Sequence, residues 1–343
     1  MKLSFASDYN NGVHPTLLKL LTETNGSQSE SYGFDEWSES ARAKIREACQ
    51  APDAYISFLT GGTQTNSTLL SAILKPYQGA ICPTTGHIAV HEAGAVEITG
   101  HKVITLPAHD AKLDAGELER YLSDFFADPE SEHCVWPGAV YISFPTEYGT
   151  IYSAAEISRI FEICRHYGLK LYIDGARLGY GLAAKGNDVT LPFLAAHCDC
   201  FYIGGTKVGA LCGEALVFPK GDQPEHFFSM VKQRGALLAK SRLAGVQFDA
   251  LFTDGLYFQI GAHAIEMAAE LKEILSEAGF RFYNFSPTNQ QFVIIPDKRV
   301  RELLPKVEFS VWGKYDEQSS ICRFVTSWAT TTEELSRLRG ILL

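Results

Sequence analysis

The chain has 343 residues with 40 acidic and 30 basic side chains, so its formal net charge is −10. Hydrophobic residues make up 46% of the sequence, which supplies a large core and excludes disordered and collagen-like chains. The acidic balance argues against a nucleic-acid-binding surface. No apolar run approaches the roughly 18 residues of a membrane span, and the start, MKLSFASDYNNG, lacks the apolar core of a signal peptide.

In chain order, residues 1–30 are polar, with scattered Gly and Asn, and we expect an extended N-terminal arm. Strand-like and helix-like segments then alternate to about residue 245. Strands are predicted over 53–59, 101–108, 139–145, 169–174 and 198–205, and helices after residue 61 and after the capping box Ser153-x-x-Glu156. This alternation predicts β-α-β units, and therefore an α/β fold with a mostly parallel sheet.

The pattern changes after about residue 255. Residues 256–279 predict one long helix, three strand-like segments follow over 281–285, 291–296 and 319–328, and Thr330-x-x-Glu333 predicts the start of a last helix. We therefore expect an arm over 1–30, a large α/β domain over 31–250 and a smaller α+β domain over 251–343.

Eight cysteines occur without regular spacing and without a C-x-x-C motif. In a chain of this length they indicate reduced, mostly buried thiols of a cytoplasmic protein. The one close pair, Cys198 and Cys200, is explained better by two core residues than by a metal site.

Two charged residues follow predicted buried strands, where ligands bind in parallel sheets. Lys207 lies among Gly and apolar residues in FYIGGTKVGALCG. Burial there would lower its pKa and leave an amine able to attack a carbonyl, whereas the alternative is a lysine that extends to solvent. Asp174 ends the strand 169–174 and needs a partner, for which a protonated pyridine nitrogen and Arg177 are candidates. The alternative for Asp174 is a helix N-cap.

Three further features have weaker signals. The turn Gly61–Asn66 could bind a phosphate at a helix N-terminus, but it matches neither the P-loop nor the dinucleotide motif. His87 and His91 have metal-ligand spacing beside Glu92, yet no third ligand is evident, and His87 could instead stack on an aromatic ring. Arg323 interrupts an apolar strand and needs either a substrate carboxylate or a protein acid as its partner.

These residues occur in an order that resembles one family. The set comprises Ser7-Asp8, Tyr32-Gly33, Gly62-Thr63-Gln64-Thr65-Asn66, His87 with Glu92-Ala93-Gly94, Asp174-Gly175-Ala176-Arg177, Lys207 and Arg323. It resembles the L-threonine aldolases of the β-eliminating lyase group, which are fold type I enzymes that use pyridoxal 5′-phosphate (PLP). The most specific parts are the D-G-A-R motif and the lysine 33 positions after its aspartate.

The resemblance implies a role for each residue. Lys207 would bind PLP covalently, Asp174 would keep the pyridine nitrogen protonated, and His87 would stack on the ring. The phosphate would be held by Gly62 and Thr63, with Thr206, and by Arg242 reaching from a neighbouring subunit. The substrate would be bound by Ser7, Tyr32, Arg177 and Arg323, with Arg177 also counted among the cofactor contacts. A metal is not implied.

The chain departs from the family pattern in three places. Glu147 stands where many threonine aldolases carry a second active-site histidine, and a carboxylate there could serve as a base or orient a water. The segment before Arg242 reads ALLAKS rather than glycine-rich, and Lys207 follows G-G-T instead of the commoner serine.

The implied activity is PLP-dependent cleavage of L-threonine or L-allo-threonine to glycine and an aldehyde, in a homodimer or homotetramer with active sites at the subunit interface. Another PLP lyase with a different β-substituted substrate is the main alternative. An aminotransferase, a non-catalytic protein of the same fold and a metal enzyme using His87, His91 and Glu92 carry less weight.

Overall fold

The computed structural model describes residues 2–343, where helices and strands alternate along the chain. The helices are α1 Pro15–Thr24, α2 Glu36–Ala48, α3 Gly62–Ile73, α4 His87–Val90, α5 Ala115–Ala127, α6 Ala154–Tyr167, α7 Leu178–Leu182, α8 Leu191–Ala196, α9 Phe227–Gln233, α10 Arg242–Leu251, α11 Leu256–Glu277, α12 Asp297–Leu303 and α13 Thr332–Leu342. The strands are β1 Leu3–Ser4, β2 Tyr55–Leu59, β3 Gln78–Pro83, β4 Val103–Leu106, β5 Ala108–His109, β6 Lys112–Leu113, β7 Trp136–Ser143, β8 Lys170–Asp174, β9 Cys200–Gly204, β10 Glu214–Phe218, β11 Arg281–Phe282, β12 Gln290–Pro296, β13 Val307–Glu308, β14 Ser310–Lys314 and β15 Ser319–Val325.

The main sheet has seven strands in the order β2-β10-β9-β8-β7-β3-β4. The neighbours from β9 to β4 pair in parallel, whereas β10 pairs antiparallel with both β2 and β9. This confirms the predicted α/β class with a mostly parallel sheet. The sequence did not predict β10, the strand that breaks the parallel order.

Alternate residues of the central strands enter two different cores, as the two-residue period of a strand requires. Ile142 and Ile173 belong to a core on one side of the sheet, while Tyr141 and Tyr172 belong to the core on the other side. Because both faces are covered, the strands are apolar along their whole length.

A second, antiparallel sheet of four strands has the order β11-β12-β15-β14 and packs with α11 and α13 around a third core. The predicted helix over 256–279 and the three predicted strands are confirmed. The capping box of α13 is formed by Thr331 and Glu334, so the predicted pair Thr330 and Glu333 is wrong by one residue. The proposed domain boundaries at residues 31 and 251 stay a prediction.

Residues 15–24 form helix α1, so the prediction of a wholly extended arm over 1–30 is wrong there. Pro15 occupies the first turn of α1 and the side chain of His14 accepts the backbone N–H of Thr16. Proline is pre-set for a helix start, and Leu17 is fully buried in the main core. Ahead of α1, β1 pairs in parallel with β13.

Within residues 2–343, no helix combines the length and the apolar character needed to cross a bilayer. All eight cysteines are free, and six of them are buried, which agrees with the prediction of mostly buried thiols.

Candidate active site

A cavity of about 290 Å³ opens at the carboxyl ends of the central strands. Eight of the predicted site residues line it, namely Gly62, Thr63, His87, Glu147, Asp174, Arg177, Thr206 and Lys207. They come from segments far apart in sequence, and the parallel topology brings them together because it aligns the ends of β2, β7, β8 and β9.

Lys207 lies just after β9, partly buried at the wall of this cavity. Burial and the nearby guanidinium of Arg177 lower the pKa of the Lys207 amine, although the carboxylates of Asp8, Asp174 and Glu214 oppose this shift. A lower pKa leaves more of the free amine at neutral pH, which is the nucleophilic form.

Asp174 ends β8 and is buried with 3% of its surface exposed. Its Oδ2 accepts hydrogen bonds from Tyr141 Oη at 2.7 Å and Asn66 Nδ2 at 3.1 Å, and Oδ1 accepts the backbone N–H of Ala176 at 3.0 Å. Burial raises the pKa of Asp174, but His87 and the hydrogen bonds outweigh it and the net shift is downward. Asp174 is therefore a buried anion whose direct partners are neutral.

His87 is oriented by a buried acid. Its Nδ1 lies 2.7 Å from Oε1 of Glu92, which also accepts a hydrogen bond of 2.6 Å from Asn66 Nδ2. His91 lies beyond the end of α4, with its ring 5.5 Å from that of His87 and 5.3 Å from that of Trp312. In residues 2–343 no three His, Cys, Asp or Glu side chains are arranged to hold a metal.

The turn before α3 has the features of an anion site. Gly61 is the N-cap residue and provides no side-chain cap, so the first N–H groups of α3 lack that partner. A Cβ on Gly62 would lie 2.9 Å from Tyr202 Oη, which explains why glycine is needed at this close approach. Helix N-termini of this kind favour phosphate groups.

Glu147 is buried at the cavity wall. Its Oε1 accepts hydrogen bonds from Ser143 Oγ at 2.6 Å and from the backbone N–H of His87 at 2.9 Å. Burial raises the pKa of Glu147, and the hydrogen bond from Ser143 opposes that shift only in part. A carboxylate whose pKa is raised is a stronger proton acceptor than an ordinary carboxylate.

Arg177 is paired within the protein, and its predicted contact with the substrate stays a prediction. Its Nε and Nη2 donate to the two carboxylate oxygens of Asp8 at 2.7 and 3.1 Å. Asn289 Nδ2 also donates to Asp8, at 2.9 Å. Two of the three guanidinium nitrogens are therefore already used, and the suggested pairing of Arg177 with Asp174 is not formed.

Arg323 is buried and has neutral partners. It donates to Gln290 Oε1 at 3.0 Å and to the carbonyl of Ala6 at 3.2 Å, and it lies 4.5 Å from the Trp312 ring centre. Its Nε has no hydrogen-bond partner in the described chain. Burial and Arg177 lower the pKa of Arg323 to about 10. Of the two predicted partners, a protein acid is not the one found within residues 2–343, where Arg323 bonds to neutral groups.

Ser7 lies next to Asp8 in the chain, and its buried Oγ has no hydrogen-bond partner in residues 2–343. Tyr32 and Arg242 lie outside the cavity. Tyr32 lines a separate cavity and stacks with Lys232, while Arg242 donates to the carbonyls of Ser27 and Thr24. Neither residue reaches the site of its own chain.

Sequence reasoning missed Glu214 as a site residue. Glu214 begins β10, lines the cavity and accepts a hydrogen bond of 2.8 Å from Thr206 Oγ1. No motif marked it, because β10 was not recognised as a strand.

The fold and the site together define a class. The cavity combines a lysine of lowered pKa, a buried carboxylate whose partners are all neutral and a phosphate-type helix start, and these features fit PLP in a fold type I enzyme. An aspartate aminotransferase of Thermus thermophilus shares the fold, with a TM-score of 0.70 at 15% identity over the whole of this chain and 92% of that chain.

The chain belongs to the beta-eliminating lyase family, whose profile matches residues 7–298. It is therefore an enzyme, a lyase that uses PLP. A low specificity L-threonine aldolase of Pseudomonas aeruginosa is 28% identical over 97% of this chain and 95% of its own length. The structure of a Leishmania major threonine aldolase superposes with a TM-score of 0.95 at 41% identity, covering 99% of this chain and 98% of that one.

Proposed function

We propose that this enzyme cleaves the Cα–Cβ bond of L-threonine and L-allo-threonine, giving glycine and acetaldehyde. The proposal rests on one observation, which is that Lys207, Asp174 and Glu147 line the same cavity. The two relatives described above, both named as threonine aldolases, support the choice of substrate.

PLP supplies an electron-accepting ring when it is bound. Side chains of this protein would bind and orient that ring. Lys207 would hold the cofactor covalently, and Asp174, as an anion, would keep a proton on the ring nitrogen. His87 would cover one ring face, with its orientation fixed by Glu92. Gly62, Thr63 and Thr206 would hold the phosphate.

The substrate carboxylate would bind Arg323, whose Nε is free and whose partners are neutral. A carboxylate there would compensate a buried guanidinium, and it would also fix which bond at Cα is aligned for cleavage. Ser7 would add its unpartnered hydroxyl. Arg177 would act indirectly, since its pairing with Asp8 fixes the wall of the cavity.

Glu147 would accept the proton of the substrate's β-hydroxyl group, which is what releases the aldehyde. Its raised pKa makes the ionised carboxylate a stronger base, which supports this role. Because it stands where histidine is common, a different β-substituent is the second candidate, and the substrate panel below separates the two.

The test is to incubate the purified enzyme with L-threonine, L-allo-threonine and β-phenylserine, and to quantify aldehyde and glycine. Equal amounts of glycine and aldehyde support the proposal. Pyruvate and ammonia would indicate β-elimination and contradict it. Lys207→Ala should lose both the visible absorbance of the bound cofactor and the aldehyde release, while Lys240→Ala, an exposed lysine outside the cavity, serves as the control.

We also infer a homo-oligomer in which Arg242 and Tyr32 serve a neighbouring site, because neither reaches the cavity of its own chain. A mixture of Lys207→Ala and Arg242→Ala proteins tests this. If hybrids form a site with both native residues, about a quarter of the wild-type activity should return. No recovery in a proven hybrid would contradict the inference for Arg242.

A further inference from the structure

Glu214 occupies a special position between the two loops that build the cavity. It is the first residue of β10, only 4% exposed, and pairs with Leu59 of β2 on one side and with Gly204 of β9 on the other. Leu59 leads into the turn at Gly62, and Gly204 leads into the segment that carries Lys207. The carboxyl group therefore lies between the phosphate-type turn and the lysine.

The contacts of Glu214 are neutral. Oε2 accepts the backbone N–H of Gly205 at 3.1 Å and Oε1 accepts the hydroxyl of Thr206 at 2.8 Å. The same hydroxyl oxygen of Thr206 accepts the N–H of Gly213 at 3.1 Å. In the described part of the chain Glu214 forms no ion pair. A buried carboxylate without a bonded cation is costly, so the neutral acid is favoured.

Six titratable groups surround Glu214, and Asp174 is the carboxylate among them. They are Lys207 and Cys212 from the segment between β9 and β10, Asp174 and Tyr172 from β8, Tyr202 from β9 and Tyr257 from α11. Lys207 is the cation among them. Burial raises the pKa of Glu214 to about 8, against the hydrogen bond from Thr206 and the charge of Lys207.

We propose that Glu214 receives the cofactor as a neutral carboxylic acid, and that Glu214 and Thr206 together form a proton-controlled hydrogen-bond donor toward the cofactor's phosphate group. The proposal rests on PLP binding and not on which amino acid is cleaved.

The number of hydroxyl hydrogens that Glu214 and Thr206 share depends on the protonation of Glu214. When Glu214 is ionised, the pair Glu214 and Thr206 has one hydroxyl hydrogen, and it lies between the two side chains. When Glu214 is neutral, the pair has two, so one bridges the side chains and the other is free to be donated to a phosphate oxygen. The ionised form also places a negative charge beside a phosphate dianion, which repels it.

Proton uptake by Glu214 should therefore accompany phosphate binding at alkaline pH. The affinity should be constant below the pKa of Glu214 and should fall by up to tenfold for each pH unit above it. At pH 9, with a pKa of about 8, binding should take up about 0.9 of a proton at this group.

The probe that tests this is pyridoxamine 5′-phosphate, which carries no aldehyde and so cannot bond covalently to Lys207. Its binding to the full chain freed of cofactor is measured by titration calorimetry at pH 7 and pH 9, in two buffers of different ionisation enthalpy. Pyridoxamine, which lacks the phosphate, is the matched control ligand. Glu214→Gln is the matched variant, since an amide remains a donor at every pH.

Relative to pyridoxamine, pyridoxamine 5′-phosphate should bind the wild-type protein about tenfold more weakly at pH 9 than at pH 7, and at pH 9 it should bring nearly one additional proton. Glu214→Gln should lose that uptake and most of the pH dependence, and Thr206→Val should weaken binding at pH 7. Equal proton uptake with pyridoxamine, or unchanged uptake in Glu214→Gln, would overturn the proposal. The wild-type data with the two ligands decide the matter even if the variant does not fold.

These results are independent of the proposed reaction. Normal proton-linked binding in an enzyme that releases no aldehyde would refute the aldolase proposal alone. Aldehyde release by an enzyme with pH-independent binding of pyridoxamine 5′-phosphate would refute the role of Glu214 alone.

Discussion

Ser143 Oγ donates a hydrogen bond of 2.6 Å to Oε1 of Glu147, and that oxygen also accepts the backbone N–H of His87. Both donors favour the ionised carboxylate, whereas burial favours the neutral acid and prevails, raising the pKa of Glu147. The balance between them sets the pH range in which Glu147 can accept a proton.

Glu147→Gln removes the proposed base while keeping its shape. We expect kcat for threonine cleavage to fall roughly 100- to 1,000-fold, because the amide cannot accept the hydroxyl proton. Cofactor absorbance should be retained, since Glu147 is not assigned to cofactor binding. Steady-state aldehyde release and an absorbance spectrum measure the two effects, and a kcat within twofold of wild type would exclude Glu147 as the base.

Ser143→Ala removes a hydrogen bond that favours the carboxylate, so the pKa of Glu147 should rise further. The base is active when ionised, and therefore the acidic limb of the kcat profile should move to higher pH. The plateau above that limb should change little. A pH–rate profile from pH 5 to 9 measures the shift, and a limb that moves to lower pH would contradict the assignment.

Asp174→Asn removes the anion assigned to the ring nitrogen. We expect cofactor affinity to weaken roughly 10- to 100-fold, since a hydrogen bond to a charged group is lost. Tyr141→Phe is the matched control, because it removes one 2.7 Å hydrogen bond to the same oxygen while keeping the charge. Equilibrium dialysis should show the smaller loss in Tyr141→Phe, and the reverse order would argue against a charge-based role.

Arg323→Lys keeps the positive charge but loses the planar fork. We expect KM for threonine to rise roughly 10- to 100-fold with a smaller change in kcat, because the carboxylate contact is made in both the ground and transition states. Steady-state kinetics decide this. A fall in kcat at constant KM would instead indicate that Arg323 acts only in the chemical step.

Asp8→Asn leaves the buried guanidinium of Arg177 without its counter-charge. We expect the free energy of unfolding to fall by about 3–5 kcal/mol, whereas Glu119→Gln, which breaks the exposed 2.7 Å pair with Arg159, should cost less than about 1 kcal/mol. Denaturant melts of both variants measure the contrast, and similar losses would contradict it.

The stability contributed by the ion pair of Asp8 and Arg177 should decrease at low pH. Burial raises the pKa of Asp8, but Arg177 and Lys207 outweigh it, and the net pKa is lowered. Its stabilising contribution is thus complete above the unfolded value of about 3.9 and is lost as the pH falls through the lower folded value.

The strands β7, β8, β9 and β12 and the helices α3, α6 and α11 could be predicted because their apolar spacing is local. Most of the other helices, α7 and α8 among them, were not predicted. The cavity was located for a similar reason, since strand ends mark the ligand site of a parallel sheet. The helix α1 was missed because its short apolar pattern, around Leu17, follows a polar stretch rich in Asn and Gly.

The partners of the charged residues could not be predicted from local patterns. Asp8 and Arg177 are 169 positions apart in the chain, and spacing says nothing about which carboxylate a guanidinium meets. Glu214 could not be predicted as a site residue for another reason. It precedes the apolar run ALVF, and an antiparallel strand inserted among parallel ones leaves no distinctive periodicity.

The position of β10 between β2 and β9 also determines the width of the cavity. Adjacent strands lie about 4.8 Å apart, so β10 acts as a spacer that holds the ends of β2 and β9 about 10 Å from each other. The phosphate-type turn and the lysine are anchored on those two ends, and the gap between them is the span that a bound molecule must bridge. Because the spacer runs the opposite way, its first residue, Glu214, lies in that gap.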